Sequence, residues 1–77
     1  MKRIEILGTG CPKCKKLFES ARQAVKALGI EAEVVKIEDI QKIMSYGVMM
    51  TPGLVVDGTV KTVGKVPSVE EIKKLIG

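Results

Sequence analysis

The chain has 77 residues, 45% hydrophobic and 29% charged, which is apolar enough for a folded core and, at this length, sets a single domain over 1–77. It contains no histidine, which excludes imidazole general bases, Cys/His nucleophile pairs, Ser/His/Asp triads and histidine-bearing metal centres. The formal charge of +4 favours acidic partners, but Phe18 and Tyr46 are the only aromatics, too few to stack along a nucleic-acid strand.

No nucleic-acid partner is therefore expected. No stretch approaches the roughly 20 apolar residues of a membrane span, and the run after Lys2-Arg3 is too short for a signal peptide, so a cytoplasmic protein without membrane attachment is expected. In a reducing compartment two cysteines three positions apart do not act as a staple, because so short a loop restrains little of the unfolded chain.

Arg3 to Leu7 is a short apolar run closed by Gly8 and Gly10, a strand running into a flexible turn. From Pro12 the period changes. Leu17, Phe18, Ala21, Ala24, Val25 and Leu28 make one stripe of an amphipathic helix whose other side carries Lys15, Lys16, Glu19, Arg22 and Lys26. Pro12 suits the first helical position, and Gly29 suits the left-handed residue after the last. Ile30 to Ile37 reads as a second strand, and a helical connection makes it a parallel neighbour of the first.

Asp39 to Tyr46 is a shorter helical pattern carrying Ile40, Ile43 and Met44 and stopped by Gly47; Met44, Met49 and Met50 read as packing residues, Tyr46 as a half-buried ring with a wet hydroxyl. Leu54-Val55-Val56 and Thr59 to Val63, joined by Asp57-Gly58, form a hairpin. Ser68 and Glu71 make a capping box for a last helix with Val69, Ile72, Leu75 and Ile76 on its apolar side. The order β-α-β-α-β-β-α predicts an α/β fold: a four-stranded mixed sheet, the third strand beside the first, the first and last helices on one face and the middle helix on the other.

The chemistry concentrates in Gly8-Thr9-Gly10-Cys11-Pro12-Lys13-Cys14, where the first strand meets the first helix. Cys11 falls at the helix N-terminus, near unpaired amides and the positive end of the dipole, and Cys14 lies one turn along on the same side. Thiols in such settings ionise at about 3.5–7.5 rather than about 8.5. Cys11 would thus attack a substrate disulfide, and Cys14, turned inward above Leu17 and Phe18, would resolve the mixed disulfide. Lys13, Lys15 and Lys16 are most simply a solvated helix face.

On these residues the chain resembles the thioredoxin and glutaredoxin superfamily, most closely its small archaeal and bacterial thioredoxin-like members, and the resemblance spans the whole element order. It implies that Thr51-Pro52, before the third strand, is a cis-proline motif whose Thr51 backbone receives an extended substrate segment, and that Gly64 lies on the rim of the same groove. With Cys11, Cys14, Pro12 and Lys13 these make the expected site. The implied activity is cofactor-free thiol–disulfide exchange on disulfide-containing proteins by a monomer.

No Trp precedes Cys11, Lys13 stands where glutaredoxins carry Tyr, and Gly64-Lys65-Val66-Pro67 lacks their glycine pair and acid. A flavin-dependent thioredoxin-reductase-like donor is therefore expected before glutathione. Glu5 sits at the offset from Cys11 where thioredoxins carry a buried acid. Its plainer reading is a solvent-facing strand residue; enclosed, it would take the proton of Cys14.

Two readings compete. A glycine-flanked CxxC on a small α/β chain also describes heavy-metal domains that pass Cu(I) between thiolates. Those domains, however, have Met where this chain has Thr9, end in a strand and have no use for Thr51-Pro52. No resident metal is expected. The other is a binding module with idle cysteines.

Overall fold

The computed structural model describes residues 2–76; Met1 and Gly77, the ends of the expected 1–77 domain, lie outside them. The elements are β1 (Lys2–Leu7), α1 (Pro12–Leu28), β2 (Ala32–Ile37), α2 (Ile40–Ser45), β3 (Gly53–Val56), β4 (Thr59–Val63) and α3 (Val69–Ile76). The sheet order is β2-β1-β3-β4, with β1 parallel to β2 and antiparallel to β3, and β3 antiparallel to β4 across a bulge at Leu54/Val55. The α/β architecture predicted from the sequence is the one observed.

Local chemistry explains the boundaries. Pro12 opens α1, and Gly29 closes it at φ 65°, its N–H donating to the carbonyls of Val25 and Lys26. Asp39 caps α2 by accepting the Gln41 N–H at 3.0 Å, and the Ser68–Glu71 box caps α3. The Asp57-Gly58 turn puts Asp57 at φ 50°, and its carboxylate accepts the Arg3 N–H at 2.9 Å, a bond that lowers its pKa. β2 begins at Ala32, two residues later than expected, where the Lys2 N–H donates to the Glu31 carbonyl at 3.3 Å and the parallel pairing with β1 starts.

Two cores flank the sheet. Ile4, Ile6, Leu54 and Val56 meet Leu17, Ala21 and Ala24 of α1 and Ile72 and Ile76 of α3. On the other face Leu7, Ile37 and Val55 pack with Ile43 of α2 and with Val48. Burial of a side chain such as Leu17 contributes about 1.5–3 kcal/mol.

The three methionines read as packing residues are a correction: Met44, Met49 and Met50 are 66%, 95% and 64% exposed. A helix of six residues turns only Ile43 inward, and Gly47, at φ 76°, bends the following segment so that Val48 alone re-enters the core.

Candidate active site

Three loops converge at one end of the central strands. The first, Gly8 to Cys11, carries the chain from β1 into α1. Cys11 is the N-cap, in extended conformation, and its Sγ accepts the Cys14 N–H at 3.3 Å. The first turn of α1 contains no acidic residue, so nothing in it opposes negative charge on that sulfur. Cys11 and Cys14 form a disulfide with Cα atoms 5.1 Å apart. Their environments differ as expected: Cys11 is half-buried and Cys14 only 5% exposed.

The second loop ends in Thr51-Pro52, whose peptide bond is cis; Thr51 is exposed and Pro52 buried. Gly8 joins these two loops. A Cβ built on it would overlap Cys14 Sγ and lie 3.9 Å from the Thr51 Cβ, so only glycine lets β1, the disulfide and the proline loop meet. The third loop supplies Gly64, whose N–H donates to the Pro52 carbonyl at 2.7 Å and whose φ of 70° favours glycine. Cys11, Cys14, Pro12, Lys13, Thr51, Pro52 and Gly64 therefore share one end of the molecule. Pro12 and Lys13 are exposed there, as are Lys15 and Lys16.

Glu5 corrects the plainer expectation. It lies on the central strand between Val35 and Val55 and is 4% exposed, because α2 covers the sheet face that a trimmed fold would leave wet. Strand alternation puts it with Leu7 on the α2 face, opposite Ile6 and the helix that carries Cys14.

Tyr46 donates its hydroxyl to Glu5 Oε1 at 2.6 Å, so that hydroxyl is engaged with a buried carboxylate and not with solvent; Glu5 Oε2 has no hydrogen-bond partner among the described residues. The bond to Glu5 raises the Tyr46 pKa above 10, burial and the Glu5 charge add to it, and Arg3 opposes it.

Tyr46→Phe should cost about 1–3 kcal/mol in denaturant unfolding, the penalty for leaving a buried acceptor unpaired. A raised tyrosine pKa gives stability that is complete below pH 10 and lost as pH climbs through the raised value. The gap between wild type and Tyr46→Phe should therefore close on the alkaline side.

Sequence reasoning passed over Glu38 and Lys36. They line a small opening beside Cys14, together with Ile6, Gly8, Gly10 and Lys15. The signal for them was the parallel β1/β2 register, which pairs Ile6 with Lys36 and thereby turns Glu38 toward the Gly8–Gly10 turn. Among the described residues no three His, Cys, Asp or Glu side chains gather to hold a metal ion, and the last element is the helix α3 where heavy-metal domains have a strand.

The thioredoxin domain family matches residues 2–77. A thioredoxin of Methanothermobacter thermautotrophicus is 50% identical over 76 residues, 99% of either chain. A thioredoxin of Methanocaldococcus jannaschii is 49% identical over 71 residues, covering 92% of this chain and 81% of its own. A probable thioredoxin of Methanothermobacter thermautotrophicus is 36% identical over 69 residues, 86% of this chain and 80% of its own. With a CxxC disulfide seated at the strand-to-helix junction on which the sequence reading rested, the chain belongs to the thioredoxin family and is a thiol–disulfide oxidoreductase of protein disulfides.

Proposed function

We propose that the chain acts as a reductant of protein disulfides, with Cys11 as nucleophile and Cys14 as resolving thiol. The observation that carries this is the inequality of the pair: a half-buried Cys11 whose Sγ accepts an amide hydrogen at the helix start, and a Cys14 that is buried. The Cys11 thiolate attacks one sulfur of the substrate disulfide, forming a mixed disulfide and expelling the first substrate thiolate. Cys14 then loses its proton and attacks Cys11 Sγ, expelling the second thiolate and closing the Cys11–Cys14 bond. Thr51, Pro52 and Gly64 form the groove for the extended substrate segment, with Pro12 and Lys13 on its near bank. Glu5, the candidate proton-transfer residue by its offset from Cys11, is buried on the sheet face away from Cys14 and holds the Tyr46 hydroxyl, so it is not assigned to this step.

The oxidised pair is returned to the dithiol by a flavin-dependent thioredoxin-reductase-like donor, the chain working as a cytoplasmic monomer. Supporting the donor is Gly64-Lys65-Val66-Pro67, which offers glutathione no acid; supporting the monomer is a site complete within one chain. Exposed Lys13, Lys15, Lys16 and Lys65 would steer an acidic donor.

The test compares reduction of the Cys11–Cys14 disulfide by NADPH plus such a reductase with reduction by glutathione alone. The reductase should be much the faster donor, and its second-order rate should fall as salt rises. Equal reduction by glutathione alone, with no gain from the reductase, would overturn the donor assignment.

A further inference from the structure

Cys14 must give up a proton when it attacks the mixed disulfide. The carboxylate anticipated for that step, Glu5, is on the α2 face of the sheet with Oε1 already holding the Tyr46 hydroxyl. The α1 face offers another. Beside Cys14 is an opening of about 60 Å³ lined by Ile6, Gly8, Gly10, Lys15, Lys36 and Glu38. A water molecule needs about 10–15 Å³ of such space, so it admits more than one, and its charged walls would hold them. Glu38 Oε2 lies 3.5 Å from where a Cβ would stand on Gly10, and Gly8, in the same wall, is the residue whose Cβ would overlap Cys14 Sγ. The Gly8–Gly10 turn thus separates carboxylate from sulfur by a bare stretch of backbone.

We propose that Glu38 accepts the Cys14 proton through water in this opening. The step balances within the exchange reaction. The Cys14 S–H bond breaks, the proton passes by water to the Glu38 carboxylate, the new S–S bond forms to Cys11, and the electron pair of the broken mixed disulfide leaves on the substrate thiolate. On return to the dithiol the path runs backwards.

Lys15 and Lys36 line the same opening and favour the transient Cys14 thiolate; Lys36 is held in place by the Phe18 ring, its Nζ 4.6 Å from the centroid. Because Glu38 is exposed and acts through water, its loss should slow resolution by about tenfold, less than the hundredfold or more of a directly bonded base.

The inference rests on Cys14 being the resolving thiol, and the test separates the two. Reduced protein is mixed in stopped flow with one equivalent of an aromatic disulfide whose released thiolate is coloured. The first thiolate released reports attack by Cys11, and the second reports resolution by Cys14. In Cys14→Ser the second phase should vanish; if it persists, the assignment of Cys14 fails, whatever Glu38 does.

In Glu38→Gln the first phase should be unchanged and the second about tenfold slower. Formate, small enough for the opening, should restore it, and Glu38→Asp should retain most of the wild-type rate. A Glu38→Gln second phase within twofold of wild type would overturn the proposal. So would a slow phase that neither formate nor Glu38→Asp restores, which marks a structural effect, or Glu5→Gln slowing the second phase while Glu38→Gln does not.

Discussion

Cys11→Ser should reduce disulfide exchange to the uncatalysed background, whereas Cys14→Ser should leave attack intact and accumulate substrate on Cys11 as a covalent adduct. The asymmetry follows from what each sulfur faces. Cys11 Sγ is half-buried, accepts the Cys14 N–H at 3.3 Å and stands at the start of a helix with Lys13 and Lys15 in its first turn. Cys14 is buried, with its Sγ against Gly8.

Thiols at helix N-termini beside lysines ionise below the usual thiol range, so more of such a sulfur is present at neutral pH as the reactive thiolate. The reduced protein should therefore be alkylated at Cys11 first, by roughly tenfold once the lower nucleophilicity of a low-pKa thiolate is allowed for, with burial of Cys14 widening the gap. Mass spectrometry of trapped adducts and of the alkylated protein reads both effects. Equal alkylation of the two thiols across neutral pH would refute the division of roles.

What could be read in the sequence was whatever local chemistry decides. Pro12 and Gly29 bound a helix wherever they sit around an apolar stripe, Asp57-Gly58 makes a turn from its own backbone preferences, and CxxC after two glycines announces itself. Proline at Thr51-Pro52 was legible only through resemblance, since nothing near it in the chain says what it packs against.

What could not be read was decided across the fold. Glu5 alternates correctly for a wet strand face and is buried only because α2 lies over that face and presents Tyr46 to it. Met44 has the spacing of a core residue but sits on a helix too short to turn two positions inward. Glu38 came to the cysteines by way of the β1/β2 register, a pairing between segments some thirty positions apart. Each miss turns on how elements pack against one another and not on local sequence.

Gly8→Ala should be more damaging than the loss of one methylene-sized space elsewhere would suggest, although a methyl group is all it adds. The added carbon would overlap Cys14 Sγ and lie 3.0 Å from Cys14 Cβ. Relief by moving the strand is blocked, because the Gly8 N–H donates to the Ile37 carbonyl at 3.0 Å and Leu7 before it is fully buried against Val55 and Val48. Relief by moving Thr51 opens the proline loop, since its Cβ is 3.9 Å away on the other side. The remaining course is for the N-terminal turn of α1 to tilt outward, carrying both cysteines.

Overpacking of this kind costs about 1–3 kcal/mol, and here the strain is released through the site itself. Denaturant unfolding should show a loss in that range. Exchange with a protein disulfide should fall by more than the stability loss explains, because resolution needs Cys14 Sγ within bonding reach of Cys11. Gly64→Ala is the control. Unlike Gly8, this position has a positive φ, so the added Cβ carries backbone strain of its own, but its nearest obstacle is the Met50 Cε at 3.2 Å, the far end of an exposed flexible side chain that can swing aside. It should weaken docking of a protein substrate while leaving reaction with a small aromatic disulfide near the wild-type rate. Gly8→Ala should impair both, and wild-type exchange with the small disulfide in Gly8→Ala would show that the strand, not the disulfide, gives way.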